Sequence, residues 1–186
     1  ETFGIEKIDL MCLAKGITSA YTPLSALMVS DRIANTFIEK GGEFFHGFTY
    51  SGHPVSCAVA LENIRIMEDE GMVKQVGEDT GPYFADQLAT LADHEIVAEV
   101  RSCGLLAGIE LVRDKETLEP ISEDMDECDE ICEVFRDFCL NHGIITRPIH
   151  STVMLTPPLI ISRAEIDFLV KKLRLALDDF ANFLKQ

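Results

Sequence analysis

The chain has 186 residues, a formal net charge of −16 at pH 7 and a pI near 4.6. Nucleic acids and anionic membrane surfaces repel so acidic a chain, so neither is expected as a partner. The length is enough for one or two domains with hydrophobic cores. No apolar run reaches the roughly 20 residues of a membrane span and the first residues have no targeting character, so a cytoplasmic protein is expected.

The first part of the chain predicts two strands and two helices. The expected elements are strands at 8–14 and 24–30, a connecting turn at 16–23, a helix at 31–40, an aromatic loop at 43–52 and a helix at 53–71. Asp31 is expected to cap the first helix, because a carboxylate there accepts from free backbone N–H groups. Pro54 favours the first turn of the second helix. The expected buried face of this second helix comprises Cys57, Ala58, Leu61, Ile64 and Met67.

The remainder alternates helices and strands in a compact α/β pattern. The expected elements are helices at 73–91 and 125–142, strands at 96–101, 105–112, 144–149 and 153–155, and a last helix after Ser162. Gly81-Pro82 is expected to kink the first of these helices. Ser162 and Glu165 form a capping-box pattern at the last one. The expected buried face of the last helix comprises Ile166, Leu169, Leu173, Ala176, Leu177 and Phe180.

Six cysteines are scattered through apolar patterns and are interpreted as small core residues. Three of them, Cys128, Cys132 and Cys139, share one face of the predicted helix at 125–142. Zinc sites favour closely spaced cysteine pairs with histidine partners. The sequence lacks that spacing, so no metal site is predicted.

Lys15 interrupts an apolar, strand-like stretch directly before Gly16. A buried ammonium group is costly unless it is paired or loses its proton, and a lysine whose pKa is lowered is a good Schiff-base nucleophile. The alternative is a strand-end lysine whose charged head reaches into water. These residues by themselves leave both interpretations open.

The sequence after Lys15 makes the chain similar to a known family. The motifs are Lys15-Gly16 and residues 21–31 (YTPLSALMVSD), 47–54 (GFTYSGHP), 100–110 (VRSCGLLAGIE), 145–148 (ITRP) and 156–161 (TPPLII). In this order they resemble the class III aminotransferases, which are pyridoxal-phosphate enzymes of fold type I, and within them the omega-transaminase branch.

This resemblance implies an α/β fold with two parts. Residues 1–70 correspond to the C-terminal part of the large cofactor-binding domain, including the connecting helix, and residues 71–186 to the small C-terminal α/β domain. The resemblance also implies that the chain is the C-terminal part of a longer enzyme. The preceding segment would supply further cofactor contacts, so this part alone is expected to be inactive.

The resemblance assigns roles to named residues. Lys15 matches the lysine that binds pyridoxal 5'-phosphate as a Schiff base and then moves a proton between substrate and cofactor. Thr49, with Phe48 beside it, matches the cofactor-binding loop, in which the threonine reaches the cofactor phosphate of the partner subunit. The implied assembly is a homodimer with shared active sites. Tyr21 is expected to line the substrate or cofactor pocket, with simple packing as the alternative.

Arg147 is the predicted contact for the substrate carboxylate. Pro148 favours an extended conformation of the residue before it, and a guanidinium matches a carboxylate with two parallel hydrogen bonds. In the family pattern this arginine swings away for donors that lack a carboxylate. The alternative is a surface salt bridge. A second arginine, Arg101, is expected to support the core of the small domain.

Two departures from the family pattern concern the backbone near Lys15. Ala20 stands where many relatives have glycine, and Ser25 where many have glycine or alanine. Both changes affect backbone freedom, and neither removes a chemical group.

The predicted function is that of an aminotransferase acting on small molecules. It would move an amino group from an amine or omega-amino acid to a keto acid, with pyruvate as the expected acceptor. Within the family, the alternative donors are of the 4-aminobutyrate, ornithine or diaminopelargonate type. From a different class of protein, the alternative is a noncatalytic α/β dimerisation module.

Overall fold

A computed structural model describes residues 4–185. The chain divides into two compact units, Glu1–Glu70 and Gly71–Gln186. Among the described residues, no helix is both long and apolar enough to cross a membrane. The assignment of the two units to the large and small domains of an aminotransferase stays a prediction.

The first unit contains one small sheet and two longer helices. These elements are strands β1 (Leu10–Ala14) and β2 (Ser25–Val29) and helices α1 (Asp31–Glu39) and α2 (Pro54–Asp69). The two strands pair antiparallel, with Leu10 opposite Val29 and Ala14 opposite Ser25. Most side chains of both strands are exposed. This open sheet is the scaffold for the residues that follow β1.

Helix α1 has Ser30 as its N-cap, so the predicted cap at Asp31 is wrong. Asp31 instead lies in the first turn, where its negative charge favours the positive end of the helix dipole. Ser30 Oγ donates to Asp9 Oδ1 at 2.9 Å rather than serving the helix. The Arg32 guanidinium and the Ser30 hydroxyl together lower the pKa of the Asp9 carboxyl. The start of α1 is therefore tied to the segment before β1.

Helix α2 confirms the predicted proline start, but its buried face is not the predicted one. Ser56 and Ala60 are its buried residues, whereas Leu61 is 69% exposed. Asn63 shares the face of Ser56 and Ala60, because residues four and seven positions apart lie on one side of a helix. The prediction counted only large apolar residues, so it missed a face built from small and polar ones.

The second unit is a two-layer α/β structure. Its helices are α3 (Met72–Gln75), α4 (Gly81–Ala89), α5 (Met125–Asn141) and α6 (Arg163–Leu184), and its strands are β3 (Val97–Cys103), β4 (Leu106–Leu111), β5 (Arg147–Ile149) and β6 (Thr152–Leu155). The strands form an antiparallel sheet in the order β3-β4-β6-β5. The core beside this sheet contains the fully buried rings of Phe84, Phe135 and Phe180. Phe135 and Phe180 meet edge to face, with ring centroids 5.4 Å apart.

The predicted helix at 73–91 is interrupted. A π-helical turn, Val76–Thr80, lies between α3 and α4, and the N–H of Gly81 donates to the carbonyl of Val76. Pro82 follows directly and has no N–H with which to continue regular α-helical pairing. A Cβ at position 81 would lie 2.4 Å from the Val76 carbonyl oxygen, so only glycine fits there. The predicted kink at Gly81-Pro82 therefore takes the form of a wider turn.

Helix α6 confirms the predicted capping box. Ser162 Oγ accepts from the N–H of Glu165, and the Glu165 carboxylate accepts from the N–H of Ser162 at 2.8 Å. The residues that α6 buries are Ile166, Val170, Leu173, Ala176, Leu177, Phe180 and Ala181. The predicted Leu169 is only partly buried, and the neighbouring Val170 lies deeper.

Three cysteines are buried, two are exposed, and Cys57 is partly buried. Cys128, Cys132 and Cys139 are buried on α5 as predicted, and burial raises the pKa of the Cys132 and Cys139 thiols to about 12. Cys12 and Cys103 are exposed, so the interpretation of all six cysteines as core residues is wrong. Cys12 lies on the open sheet of the first unit, and Cys103 is the last residue of β3, where exposed positions end the strand.

Arg101 lies on the polar face of the sheet, so its predicted role in the core is wrong. Its guanidinium lies 3.5 Å from a carboxylate oxygen of Glu110 and 3.3 Å from Thr152 Oγ1. Gly108 is opposite Arg101 on β4, and a Cβ there would lie 3.1 Å from Thr152 Cγ2 and in ordinary contact with the guanidinium. Burial alone would raise the pKa of Glu110, but the hydroxyls of Ser151 and Thr152 and the charge of Arg101 lower it below its ordinary value.

Candidate active site

Lys15 is the first residue of a 3₁₀ turn, Lys15–Thr18, that directly follows β1. Its φ is 53°, and Ser19 and Ala20 after the turn have φ values of 47° and 61°. Each residue other than glycine in this left-handed region costs about 1–2 kcal/mol. Glycine would adopt the positive φ of Ala20 without this cost. The backbone around Lys15 therefore depends on other contacts for its stability.

Hydrogen bonds within the turn supply part of that stability. The N–H of Ser19 donates to the Gly16 carbonyl at 3.2 Å, and the N–H of Tyr21 donates to the Thr18 carbonyl at 3.0 Å. Thr18 is buried, and its hydroxyl donates to the Thr22 carbonyl at 2.6 Å. These bonds fix the chain from Gly16 to Thr22.

An open cavity of about 910 Å³ lies beside the turn. The lining side chains with chemical groups of interest belong to Lys15, Thr22, Phe48, Tyr50 and Ser51. Lys15 is exposed in this structure, which, of the two interpretations left open by its sequence, agrees with that of a lysine whose head reaches into water. The two strands beside it are also mostly exposed. An amine, several hydroxyls and two aromatic rings thus line one cavity of the size that small-molecule sites have.

Thr22 carries an unusual hydroxyl. Its Oγ1 is buried and has no hydrogen-bond partner within residues 4–185. A buried hydroxyl without a partner costs about 1–3 kcal/mol. Thr22 lines the cavity, and a rotation of its side chain would bring this hydroxyl within reach of a polar atom of a ligand bound there.

The aromatic loop brings Phe48 to the cavity of Lys15. The N–H of Phe48 donates to Ser51 Oγ, and the N–H of Ser51 donates to the Phe48 carbonyl, each at 2.9 Å. Phe48 itself is 76% exposed. Thr49 is also exposed and is not a lining residue of this cavity. The same is true of Tyr21, which is 84% exposed.

Arg147 belongs to the second unit and is described with it. It is the exposed first residue of β5, and its partner in the sheet is Met154 on β6. This position in a strand confirms the extended conformation expected before Pro148. A pocket of about 300 Å³ lies against Arg147 and is also lined by the carboxylates of Asp129 and Glu133. The role of Arg147 in binding a carboxylate stays a prediction.

Asn63 is the residue of this region that the sequence analysis missed. Its side-chain amide donates to the carbonyls of Gly16 and Ile17, at 3.0 and 3.1 Å, and its oxygen accepts from Ser19 Oγ at 2.7 Å. The available signal was a polar residue on the inner face of α2. Its partners are more than 40 positions away in the chain, so local patterns could not identify them.

Comparison with known proteins gives the family. The family model described as Aminotransferase class-III matches residues 1–177. The putrescine–pyruvate aminotransferase of Pseudomonas aeruginosa is 42% identical over 173 residues, which are 93% of this chain and 37% of that protein. The chloroplastic gamma aminobutyrate transaminase 3 of Solanum lycopersicum is 37% identical, over 99% of this chain and 36% of that protein. The chain thus spans less than two fifths of the length of these curated relatives.

Solved structures have the same fold. The (S)-enantioselective omega-transaminase from Thermomicrobium roseum gives a TM-score of 0.85 at 39% identity, over 96% of this chain and 38% of that one. The omega-transaminase from Pseudomonas jessenii in complex with PMP gives a TM-score of 0.84 at 35% identity, over 99% of this chain and 40% of that one. These likenesses confirm the α/β transaminase fold and the resemblance predicted from the motifs. The chain belongs to the class-III aminotransferase family.

Proposed function

We propose that this chain carries the reactive lysine of an aminotransferase that moves an amino group from a small amine or omega-amino acid to a keto acid. The observation that carries the proposal is one cavity lined by the Lys15 amine and by Thr22, whose hydroxyl has no partner among residues 4–185. The names of two relatives support the substrates, because one is a putrescine–pyruvate and the other a gamma aminobutyrate transaminase. We therefore propose an amine as donor and pyruvate as acceptor, with gamma-aminobutyrate as the alternative donor.

The cavity residues fit pyridoxal 5'-phosphate as the cofactor. When bound, this group supplies an aldehyde carbon and a ring that withdraws electrons from the substrate. Lys15 would hold it through its amine, the ring of Phe48 offers an apolar contact, and the hydroxyl of Thr22 would offer a polar one once its side chain has rotated toward the cavity. The Pseudomonas jessenii relative, solved in complex with PMP, agrees with this choice.

Lys15 would have a second task once a substrate amine has replaced it on the cofactor. Its Nζ would then act as a general base that takes a proton from the reacting substrate carbon, and as a general acid that gives the proton to the cofactor. The 3₁₀ turn supports this role, because it sets Lys15 at the edge of the cavity rather than within the flat strand.

Thr49 is proposed to contact the cofactor phosphate of a partner subunit in a cytoplasmic homodimer. Its exposure and its position outside the cavity of Lys15 favour a contact with a second copy over one within its own unit. Tyr21, also exposed, is proposed as a substrate contact in the assembled site.

Arg147 is proposed to bind the substrate carboxylate. A guanidinium can form two parallel hydrogen bonds with it. The carboxylates of Asp129 and Glu133 line the same small pocket as Arg147. Asp129 already pairs with His150 and Glu133 with Arg136, so both carboxylates have partners other than Arg147.

The experiment is reduction of the complete, cofactor-loaded enzyme with borohydride, followed by peptide mapping. We expect one pyridoxyl adduct, on Lys15, and none after Lys15→Ala. Lys7→Ala is the matched control, because Lys7 is an exposed lysine of the same unit and its loss should leave the adduct unchanged. An adduct on another lysine would overturn the assignment. A complete protein that neither binds the cofactor nor transaminates would instead support the noncatalytic dimerisation module.

A further inference from the structure

Asn63 connects helix α2 to the backbone of the turn that carries Lys15. Its Nδ2 donates to the Gly16 carbonyl at 3.0 Å and to the Ile17 carbonyl at 3.1 Å. Its Oδ1 accepts from Ser19 Oγ at 2.7 Å. The side-chain amide of one residue thus contacts three separate groups of the turn.

These contacts act on a backbone that would otherwise have other conformations available. Lys15 and Ser19 both have positive φ values, 53° and 47°, which are unfavourable for residues with a Cβ. Strained conformations of this kind persist only when the surrounding structure fixes them. The Gly16 carbonyl accepts both from Ser19 N–H and from Asn63, so the two lone pairs of this oxygen are used.

The position of Asn63 makes it a firm anchor. It lies in the middle of α2, a helix of 16 residues, and is partly buried on the same face as Ser56 and Ala60. A side chain fixed on a helix holds its partner more rigidly than one on a loop. The other contacts of the turn described above are all within residues 16–22, so Asn63 connects the turn to a separate element of the fold.

We propose that Asn63 is a positioning residue for Lys15: its amide fixes the Gly16 and Ile17 carbonyls and thereby the direction in which the Lys15 amine enters the cavity. The inference rests on the proposed function, in which Lys15 is the reactive amine. Asn63 would touch neither substrate nor cofactor. Its effect would be on the rate of proton transfer by Lys15 and not on substrate affinity.

The test compares Asn63→Asp with Asn35→Asp in the complete, cofactor-loaded enzyme. The first substitution keeps the shape of the side chain but turns a carboxylate toward two carbonyl oxygens, whereas Asn35 is an exposed residue of α1 in the same unit. Loss of two hydrogen bonds of about 0.5–1.5 kcal/mol each predicts a decrease of roughly 5- to 150-fold in the rate constant of the amine half-reaction. The KM for the amine should stay within about twofold, and Asn35→Asp should change neither quantity.

A second readout does not depend on activity. Hydrogen exchange at the amides of Ser19 and Tyr21, which close the turn, should become faster in Asn63→Asp and not in Asn35→Asp. Asn63→Gln keeps the amide and should recover part of the rate. Should Asn63→Asp not fold, Asn63→Ala removes the hydrogen bonds to the Gly16 and Ile17 carbonyls without adding a charge, and its comparison with Asn35→Ala gives the same test.

The outcomes separate this proposal from the proposed function. Faster exchange with an unchanged half-reaction rate would overturn the positioning role while leaving Lys15 as the reactive lysine. Unchanged exchange would show that Asn63 does not hold the turn. If the unmodified protein forms no adduct on Lys15, the proposed function fails, and with it the positioning role, even where exchange shows that Asn63 holds the turn.

Discussion

Two buried threonine hydroxyls without hydrogen-bond partners allow a controlled test of cofactor binding in the cavity of Lys15. Within residues 4–185 these are Oγ1 of Thr22, beside the cavity of Lys15, and Oγ1 of Thr80, in the π-helical turn of the second unit. Valine has nearly the shape of threonine without the hydroxyl. Replacing either threonine by valine removes a buried group whose missing partner costs about 1–3 kcal/mol, so both variants should stabilise the cofactor-free protein.

The two variants should differ once the cofactor is added. If a polar cofactor atom pairs with Thr22, Thr22→Val loses a hydrogen bond worth about 0.5–1.5 kcal/mol and the dissociation constant should rise about 2- to 13-fold. Thr80→Val should leave the dissociation constant unchanged. Urea unfolding of the cofactor-free protein gives the first quantity, and equilibrium dialysis gives the second. Equal cofactor affinity in both variants would refute the role given to the Thr22 hydroxyl.

Three further predictions concern the shared site, the substrate and pH. In mixed dimers with Lys15→Ala in one subunit and Thr49→Ala in the other, one site should carry both defects and the other neither; one defect in each site would show that Thr49 serves its own subunit. Arg147→Ala should raise the KM for keto acids and leave simple amines almost unaffected, since an unpaired carboxylate costs about 1–3 kcal/mol; equal losses for both would contradict carboxylate binding. The pKa of Glu110 is lowered from its ordinary value of 4.5, so the ionised carboxylate stabilises the fold above pH 4.5, and this contribution is lost as the pH falls through the lowered pKa. Glu110→Gln should therefore lower the free energy of unfolding more at pH 7 than at pH 4. An equal loss at the two pH values would refute the linkage.

Rules based on a few neighbouring residues correctly predicted two helix starts, those of α6 and α2. The capping box of Ser162 and Glu165 and the proline start of α2 are confirmed, because each depends on a few neighbouring residues. The π-helical turn was beyond such rules. A Cβ on Gly81 would also lie 3.3 Å from Gly104 Cα, so the wider turn reflects packing against a hairpin distant in sequence.

The resemblance identified the family and the order of the site residues. The structure adds two residues, Thr22 and Asn63, that the resemblance did not identify. The motifs identified Lys15 and Phe48, which do line one cavity. The same motifs gave no reason to single out Thr22 or Asn63, because an unpaired hydroxyl and a contact to backbone carbonyls are properties of three-dimensional packing. Exposure was predicted poorly for Cys12 and Leu61, since apolar patterns do not tell whether a covering layer is present.

Because the backbone of Lys15 is left-handed, the direction of its side chain depends more on the residues that follow it than on strand β1. Residues in a regular strand alternate between the two faces of the sheet, so the direction of a lysine within β1 would follow from its register with β2. A positive φ at Lys15 ends that dependence, because the chain leaves the sheet at this residue. The direction of the amine is then set by whatever holds the next few residues. Since Asn63 contacts Gly16, Ile17 and Ser19, that task belongs to α2, and a change in α2 can alter the chemistry of Lys15 without touching the cavity.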